Sequence, residues 1–306
     1  MASRRKFIKD VTISSLILST GAFPLYASED EANVQKLTIL HTNDVHSRIE
    51  PFPMDGSKNQ GLGGVAKRSS LIKKIREQEK HVLLLDAGDI FQGTPYFNFF
   101  GGELEIKLMS QLGYDAGTIG NHDFDAGVDG LSKQMVHANF PLLSSNYDFS
   151  DTEMNGKTSN FKIFKKGSVK IGVFGIGIEL KGLVPSALYK GTVYHDPIST
   201  AQKWATWLKQ DQKCDYIICL SHLGYKYNES RLSDISLAEE TKDIDLIIGG
   251  HTHTFLNQPD RRKNKDGKPV LINQVGWAGI VLGRIDVLFE RNSKDTCVTC
   301  QNLLVG

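Results

Sequence analysis

The sequence predicts an α/β fold with two packed β-sheets and helices on their outer faces. Three observations predict it. Strand-like apolar runs alternate with helix-like runs along most of the chain. The alternation falls into two similar half-chains, without an exact internal repeat. Five strand-like runs lead directly into segments holding Asp, His or Asn, the place where an open α/β sheet binds its ligands.

The amino terminus stands apart from that pattern. Ser3-Arg4-Arg5-Lys6-Phe7-Ile8-Lys9 is basic, Val11 to Leu25 is modestly apolar, and Tyr26-Ala27-Ser28 comes next. This is the layout of a secretory signal of the twin-arginine subclass. Residues 1–27 are therefore expected to be removed after Ala27, with residues 28–36 as a short acidic lead and 37–306 as one domain. Ser, Thr, Gly and Pro interrupt the apolar stretch, which is too short for a membrane span, so no stable membrane anchor is expected. No Cys lies near Ala27 to make a lipoprotein. The expected location is periplasmic or secreted, reached through the twin-arginine export machinery.

Each later element has its own signal. Leu37 to Leu40 is a short apolar strand. Gly61 to Gly64 opens a helix over 65–78, and Val82 to Leu85 has the continuous apolar character of a strand covered on both faces. A helix over 102–112 carries Leu104, Leu108 and Leu112 on one face. Asp115 to Ile119 is a weaker strand, and Phe140 to Asn146 reads as a strand and turn. Phe161 to Phe164 and Val169 to Ile178 form a hairpin through Lys165-Lys166-Gly167. A helix over 200–209 carries Trp204 and Trp207 as packing residues. Tyr216 to Leu220 and Ile244 to Ile248 are strands, and the last runs, 270–273, 279–289 and 297–304, look antiparallel. The basic stretch Arg261 to Lys268 holds Asp266-Gly267 and reads as a solvated hairpin tip.

Composition excludes some functions. The formal net charge is +1 with no basic block, so no nucleic acid polymer is indicated as partner. Of four cysteines, Cys219 reads as a small buried apolar residue. Cys297-Val298-Thr299-Cys300 has CxxC spacing; two ordinary thiols on a terminal strand are favoured over a disulfide.

The ligand-type segments are Asp44-Val45-His46, Gly88-Asp89, Gly120-Asn121-His122-Asp123, Ser221-His222 and Gly249-Gly250-His251-Thr252-His253. Asp, His and Asn without Cys suit hard or borderline divalent ions such as Mn, Zn, Mg or Fe. Asp44, His46, Asp89, Asn121, His222, His251 and His253 are too many for one ion and suit two sharing a bridge. Asp89 is the natural bridge, because a carboxylate has two oxygens to divide. Two ions clamp a displacement at phosphorus and lower the pKa of a shared water. His122, with Asp125 three residues on, is placed to act as acid or charge stabiliser. His81, His137 and His195 fall in no motif and read as packed core. His41 reads as core or as support for a ligand, Asp86 as a turn or support residue, and Asp123 as a surface acid or support.

These segments, led by Leu37-Thr38-Ile39-Leu40-His41-Thr42-Asn43-Asp44-Val45-His46, closely resemble the calcineurin-like metallophosphoesterases. Within them the resemblance is to the catalytic domain of the bacterial 5′-nucleotidase and UDP-sugar hydrolase family. It runs from about Leu37 to the end. It implies a four-layer α-β-β-α sandwich and hydrolysis of phosphomonoesters of the 5′-nucleotide kind by metal-bound hydroxide. Carried over by motif, Asp44, His46, Asp89 and His253 hold one ion, and Asp89, Asn121, His222 and His251 the other. His122 and Asp125 are the catalytic dyad. Some relatives have Gln at the position of His253. Full-length members continue into a second domain that grips the nucleoside, which leads to the expectation of a separate nucleoside-binding chain or a different substrate. The rival expectations are a thiosulfate-ester hydrolase of the sulfur-oxidation type, which shares the fold and the export route, and a metal-binding scaffold subunit.

Overall fold

The computed structural model describes residues 34–290 and 296–306. The expected signal, 1–27, lies outside the described residues, as does most of the lead. Nearly all of the described residues belong to the second of two units, Gln35–Gly306.

Two six-stranded sheets dominate that second unit. The first sheet contains β1 (Val34–Thr42), β2 (Val82–Asp86), β3 (Ala116–Thr118), β4 (Leu142–Leu143), β13 (Val281–Glu290) and β14 (Thr296–Leu304), in the order β14-β13-β1-β2-β3-β4. The other contains β6 (Phe161–Lys166), β7 (Val169–Ile176), β9 (Tyr216–Ser221), β10 (Leu246–Gly249), β11 (Asp260–Lys263) and β12 (Pro269–Asn273), in the order β11-β12-β10-β9-β7-β6. A short ribbon pairs β5 (Tyr147–Asp148) with β8 (Val193–Tyr194). β1 to β4 run parallel, as do β7, β9, β10 and β12. The antiparallel pairs lie at sheet margins.

The alternation of side chains along each strand separates the layers. In β2, Leu83 and Leu85 point between the sheets, where they meet Ile39, Ile171, Val173, Ile218, Leu246 and Ile248. Leu84 points the other way, to Ile72 and Ile75 of the helix Val65–Gln78 and Ile106 and Met109 of the helix Glu103–Leu112. Behind the second sheet, Phe174, Ile217 and Ile247 pack on Ala201 and Ala205 of the helix Pro197–Thr206 and Leu237 of the helix Asp234–Glu240. The expected α-β-β-α sandwich is the observed one.

Some details differ from expectation. β1 begins at Val34, so the end of the lead is already strand. The helix over 103–112 buries Glu105, Ile106, Met109 and Leu112, leaving Leu104 and Leu108 half-buried, because the 106/109 side packs on the sheet. β12 pairs parallel with β10 and is antiparallel only to β11, which the sequence did not reveal as a strand. Asp266-Gly267 does lie at the β11–β12 tip. His195 is exposed and His81 and His137 are half-buried, so none is a core residue. Cys297 and Cys300 are free thiols; three residues apart on β14, they project to opposite faces. Trp204 and Trp207 pack around Phe161, as expected.

Candidate metal centre

Parallel strands deliver the ligand-type residues to one end of the two sheets. β1 ends at Thr42, just before Asp44 and His46; β2 ends at Asp86, before Asp89; β3 ends at Thr118, before Asn121. From the second sheet, β9 ends at Ser221 beside His222, and β10 ends at Gly249 before His251 and His253. Asp44, His46, Asp89, His251 and His253 all have left-handed backbone, with φ between 49° and 70°. Such strain persists where the surroundings over-determine it, and it clusters at functional sites. Gly88, at φ 87°, has no such cost, and a Cβ there would lie 2.7 Å from Gly120 N and 2.9 Å from His222 Nδ1.

Two triads form. Possible ligand atoms of Asp44, His46 and His253 lie within 4.8 Å of one another, and so do those of Asp89, His222 and His251. His253 Nε2 is 3.4 Å from Asp44 Oδ1. Asp89 Oδ2 lies 3.1 Å from His222 Nε2 and 3.8 Å from His46 Nε2, and so faces both triads. Asn121 Oδ1 is 2.7 Å from His251 Nδ1, which brings the amide to the second triad. The two strand-end loops are stitched together by His251 N, which donates to Asp44 Oδ1 at 2.9 Å.

The donor chemistry fits divalent ions. Nδ1 of His46 donates to the Phe91 carbonyl at 3.1 Å, and Nδ1 of His222 to the Ala87 carbonyl at 2.6 Å. That tautomer leaves each Nε2 lone pair directed at the carboxylates, the usual support of a ligating imidazole. His222 Nε2 is fully buried and, despite the nearby Asp89, meets no partner at hydrogen-bond geometry. Nε2 of His46 faces Nε2 of His253 at 3.0 Å. Burial opposes charge on His222, but Asp89 beside it pushes the pKa up to about 10. Burial also opposes charge on Asp89, yet His222 and His46 hold it below the usual carboxylate range. Burial, then His222, lowers His251 to about 3, so that ring is neutral.

His122 sits beside the triads, its ring 5.2 Å from that of His46. Its backbone N donates to Asp89 Oδ1 at 2.8 Å, and its Nδ1 donates to Asp125 Oδ2 at 2.9 Å. Asp125 raises the His122 pKa, against a smaller lowering by burial.

Supporting residues were less legible. Asp123 is not a surface acid. Its carboxylate accepts from the backbone N–H groups of Asp89, Ile90, Phe91 and Gly120, at 2.7–3.2 Å. Burial and Asp89 push its pKa up to about 7, while the four donors favour the anion that their geometry requires. Asp86 accepts from Thr42 Oγ1 at 2.6 Å and Gly88 N at 2.9 Å, which fixes the turn before Asp89. His41 is buried with Nε2 2.9 Å from Asn273 Nδ2, and burial lowers its pKa to about 3. Trp277, against His253, had no sequence signal at all.

Carboxylates and imidazoles gathered in two triads at the carboxyl ends of facing sheets define a dinuclear metallohydrolase type of site. The chain belongs to the calcineurin-like phosphoesterase family, which matches over residues 37–255. It is 37% identical to the snake venom 5′-nucleotidase of Gloydius brevicauda over 277 residues, covering 83% of this chain and 45% of that one. A 5′-nucleotidase precursor from Thermus thermophilus superposes with TM-score 0.79 at 31% identity, covering 88% of this chain and 54% of that one. A Haemophilus influenzae NAD nucleotidase superposes with TM-score 0.78, also at 31% identity, covering 89% and 57%. The chain thus spans about half the length of these relatives.

Proposed function

We propose that this protein is a two-metal phosphomonoesterase acting on 5′-nucleotides. One observation carries the reading: Asp89 faces both triads, and its other oxygen holds the backbone of the residue whose ring pairs with Asp125. Asp44, His46, Asp89 and His253 would hold one divalent ion, and Asp89, Asn121, His222 and His251 the other. Bound there, two such ions supply Lewis acidity and a nucleophilic water near neutral pH. His122, whose pKa the Asp125 hydrogen bond raises, would stabilise charge on the phosphoryl group and give a proton to the departing oxygen. The Asn121 amide steadies a phosphoryl oxygen. The ester P–O bond breaks, an oxygen from water bonds phosphorus, and phosphate and an alcohol leave.

The substrate class rests on the 5′-nucleotidase relatives. The expected grip on the nucleoside, in the same polypeptide or a separate one, is part of this proposal, as is export of residues 28–306 by the twin-arginine pathway. Among the described residues no helix is long and apolar enough to cross a membrane. Replacing Arg4 and Arg5 by Lys should leave the protein in the cytoplasm; undiminished export would refute that route.

The deciding assay loads residues 28–306 with Mn, Zn or Mg and measures phosphate release from AMP, UDP-glucose and an aryl phosphate, with a chelator control and a thiosulfate ester beside them. Chelator-sensitive release from AMP supports the nucleotidase. Release from the aryl phosphate alone places nucleoside selection outside this chain. Turnover of the sulfur ester alone, or two bound ions with no turnover, refutes the reading.

A further inference from the structure

We propose that Trp277 is the positioning residue for His253, doing by ring stacking what backbone carbonyls do for His46 and His222. This role rests on the two-metal reading of the site.

A ligating imidazole is ordinarily oriented by a hydrogen bond from its second nitrogen. His46 and His222 have one, to the carbonyls of Phe91 and Ala87. His253 differs. Its Nε2 faces Asp44 and His46, and among the described residues its Nδ1 meets no hydrogen-bond partner. It is also far less enclosed: its side chain is 41% exposed, against 9% for His46 and 0% for His222. This half-exposed imidazole, on a left-handed residue, is met edge-on by the His46 ring at 5.0 Å but has no hydrogen bond at Nδ1 to fix its plane.

Trp277 fills that role. Its ring lies 5.8 Å from the His253 ring, centroid to centroid, with the planes 8° apart, an offset stack. The indole is itself held. Phe52 meets it edge-on at 5.7 Å, and the Arg48 guanidinium covers Phe52 at 4.2 Å. Its backbone neighbours are tied to the loop of the first triad: Asn43 Nδ2 donates to Gly276 O at 2.6 Å, and Ala278 N donates to Asp44 O at 2.7 Å. Gly276 N in turn donates to Thr254 O, next to His253. The segment carrying Trp277 is therefore fixed relative to both Asp44 and His253. A planar wall there restricts rotation of the imidazole and keeps Nε2 directed at Asp44.

The test is metal affinity, not turnover. The metal-free chain is titrated with Mn²⁺ by calorimetry, with intrinsic fluorescence followed in parallel. Wild type should show two binding events. Trp277→Ala should weaken one of them by roughly 10–100-fold and leave the other near its wild-type value. Trp277→Phe, which keeps a ring face, should restore the weakened event. Trp277→Leu keeps bulk without a ring, and should behave like Trp277→Ala if the latter folds poorly. Trp204 and Trp207 pack on Phe161, so the fluorescence change on binding should come from Trp277 and vanish in Trp277→Phe. Two wild-type events in Trp277→Leu would overturn the positioning role while leaving the metal centre standing. No binding by wild type would overturn both.

Discussion

His122 Nδ1 lies 2.9 Å from Asp125 Oδ2, three residues apart where a tight helical turn ends. The turn places the carboxylate behind the ring, so the remaining nitrogen is free to face a substrate. His122 is not a member of either triad. Its replacement by Ala should therefore leave two ions bound while lowering kcat by roughly 10²–10⁴. Asp125→Asn should lower kcat less, since the imidazole remains. Metal content by atomic emission and single-substrate kinetics check both; an unchanged kcat in His122→Ala would remove it from the mechanism.

Asp89 faces imidazoles of both triads, His222 at 3.1 Å and His46 at 3.8 Å. Asp89→Asn keeps the shape and one acceptor but removes the shared charge. Both sites should weaken together, so that bound metal falls from two ions per chain without stopping cleanly at one. A variant that retains two tightly bound ions would contradict the bridging role.

Local signals made part of the centre legible in the sequence. A strand run directly before Asp44, His222 or His251 announces itself, and the five ends meet because parallel strands carry them to one edge. Contacts made only by tertiary return were not legible. β13 pairs β14 and lies beside β1, and the segment before it brings Trp277 against His253 across more than twenty residues of hairpin, with nothing in the local pattern to mark it. The buried face of the helix over 103–112 was misjudged for a similar reason. Leu spacing suggested one stripe, whereas packing on the sheet selected Ile106 and Met109 and drew Glu105 inside with them.

Gly120 is a sharper test of how closely the centre is packed. A Cβ built there would lie 2.5 Å from Asp89 N and 2.7 Å from His222 Cε1. Both neighbours are buried, and neither is the loose end of a flexible side chain. Gly120→Ala should cost about 1–3 kcal/mol in stability through overpacking. It should also displace the bridge and one imidazole together, so metal affinity falls with stability. Denaturant unfolding with and without Mn²⁺ reads both; an alanine variant with wild-type affinity would mean the loops yield easily.

Asp234, like Asp123, contributes to the pH dependence of stability. It begins the helix Asp234–Glu240, is fully buried, and has neither carboxyl oxygen in a hydrogen bond of good geometry. Burial raises its pKa from 3.8 to about 8, with small opposing effects from Ser221 and His222. The folded chain therefore keeps this proton up to about pH 8, while the unfolded chain loses it near 3.8. Between those values the folded state binds more protons, so rising pH removes stability. The contribution is whole below the unfolded value and is lost progressively as pH climbs toward the folded one. Asp234→Asn has no proton to lose, and its stability should fall less steeply with pH. Urea midpoints of the metal-free protein and the variant, taken from about pH 5 to 9, make the comparison. The wild-type curve should drop relative to the variant across that window. Parallel curves would mean that Asp234 ionises without cost, and that its carboxylate finds a partner in solution.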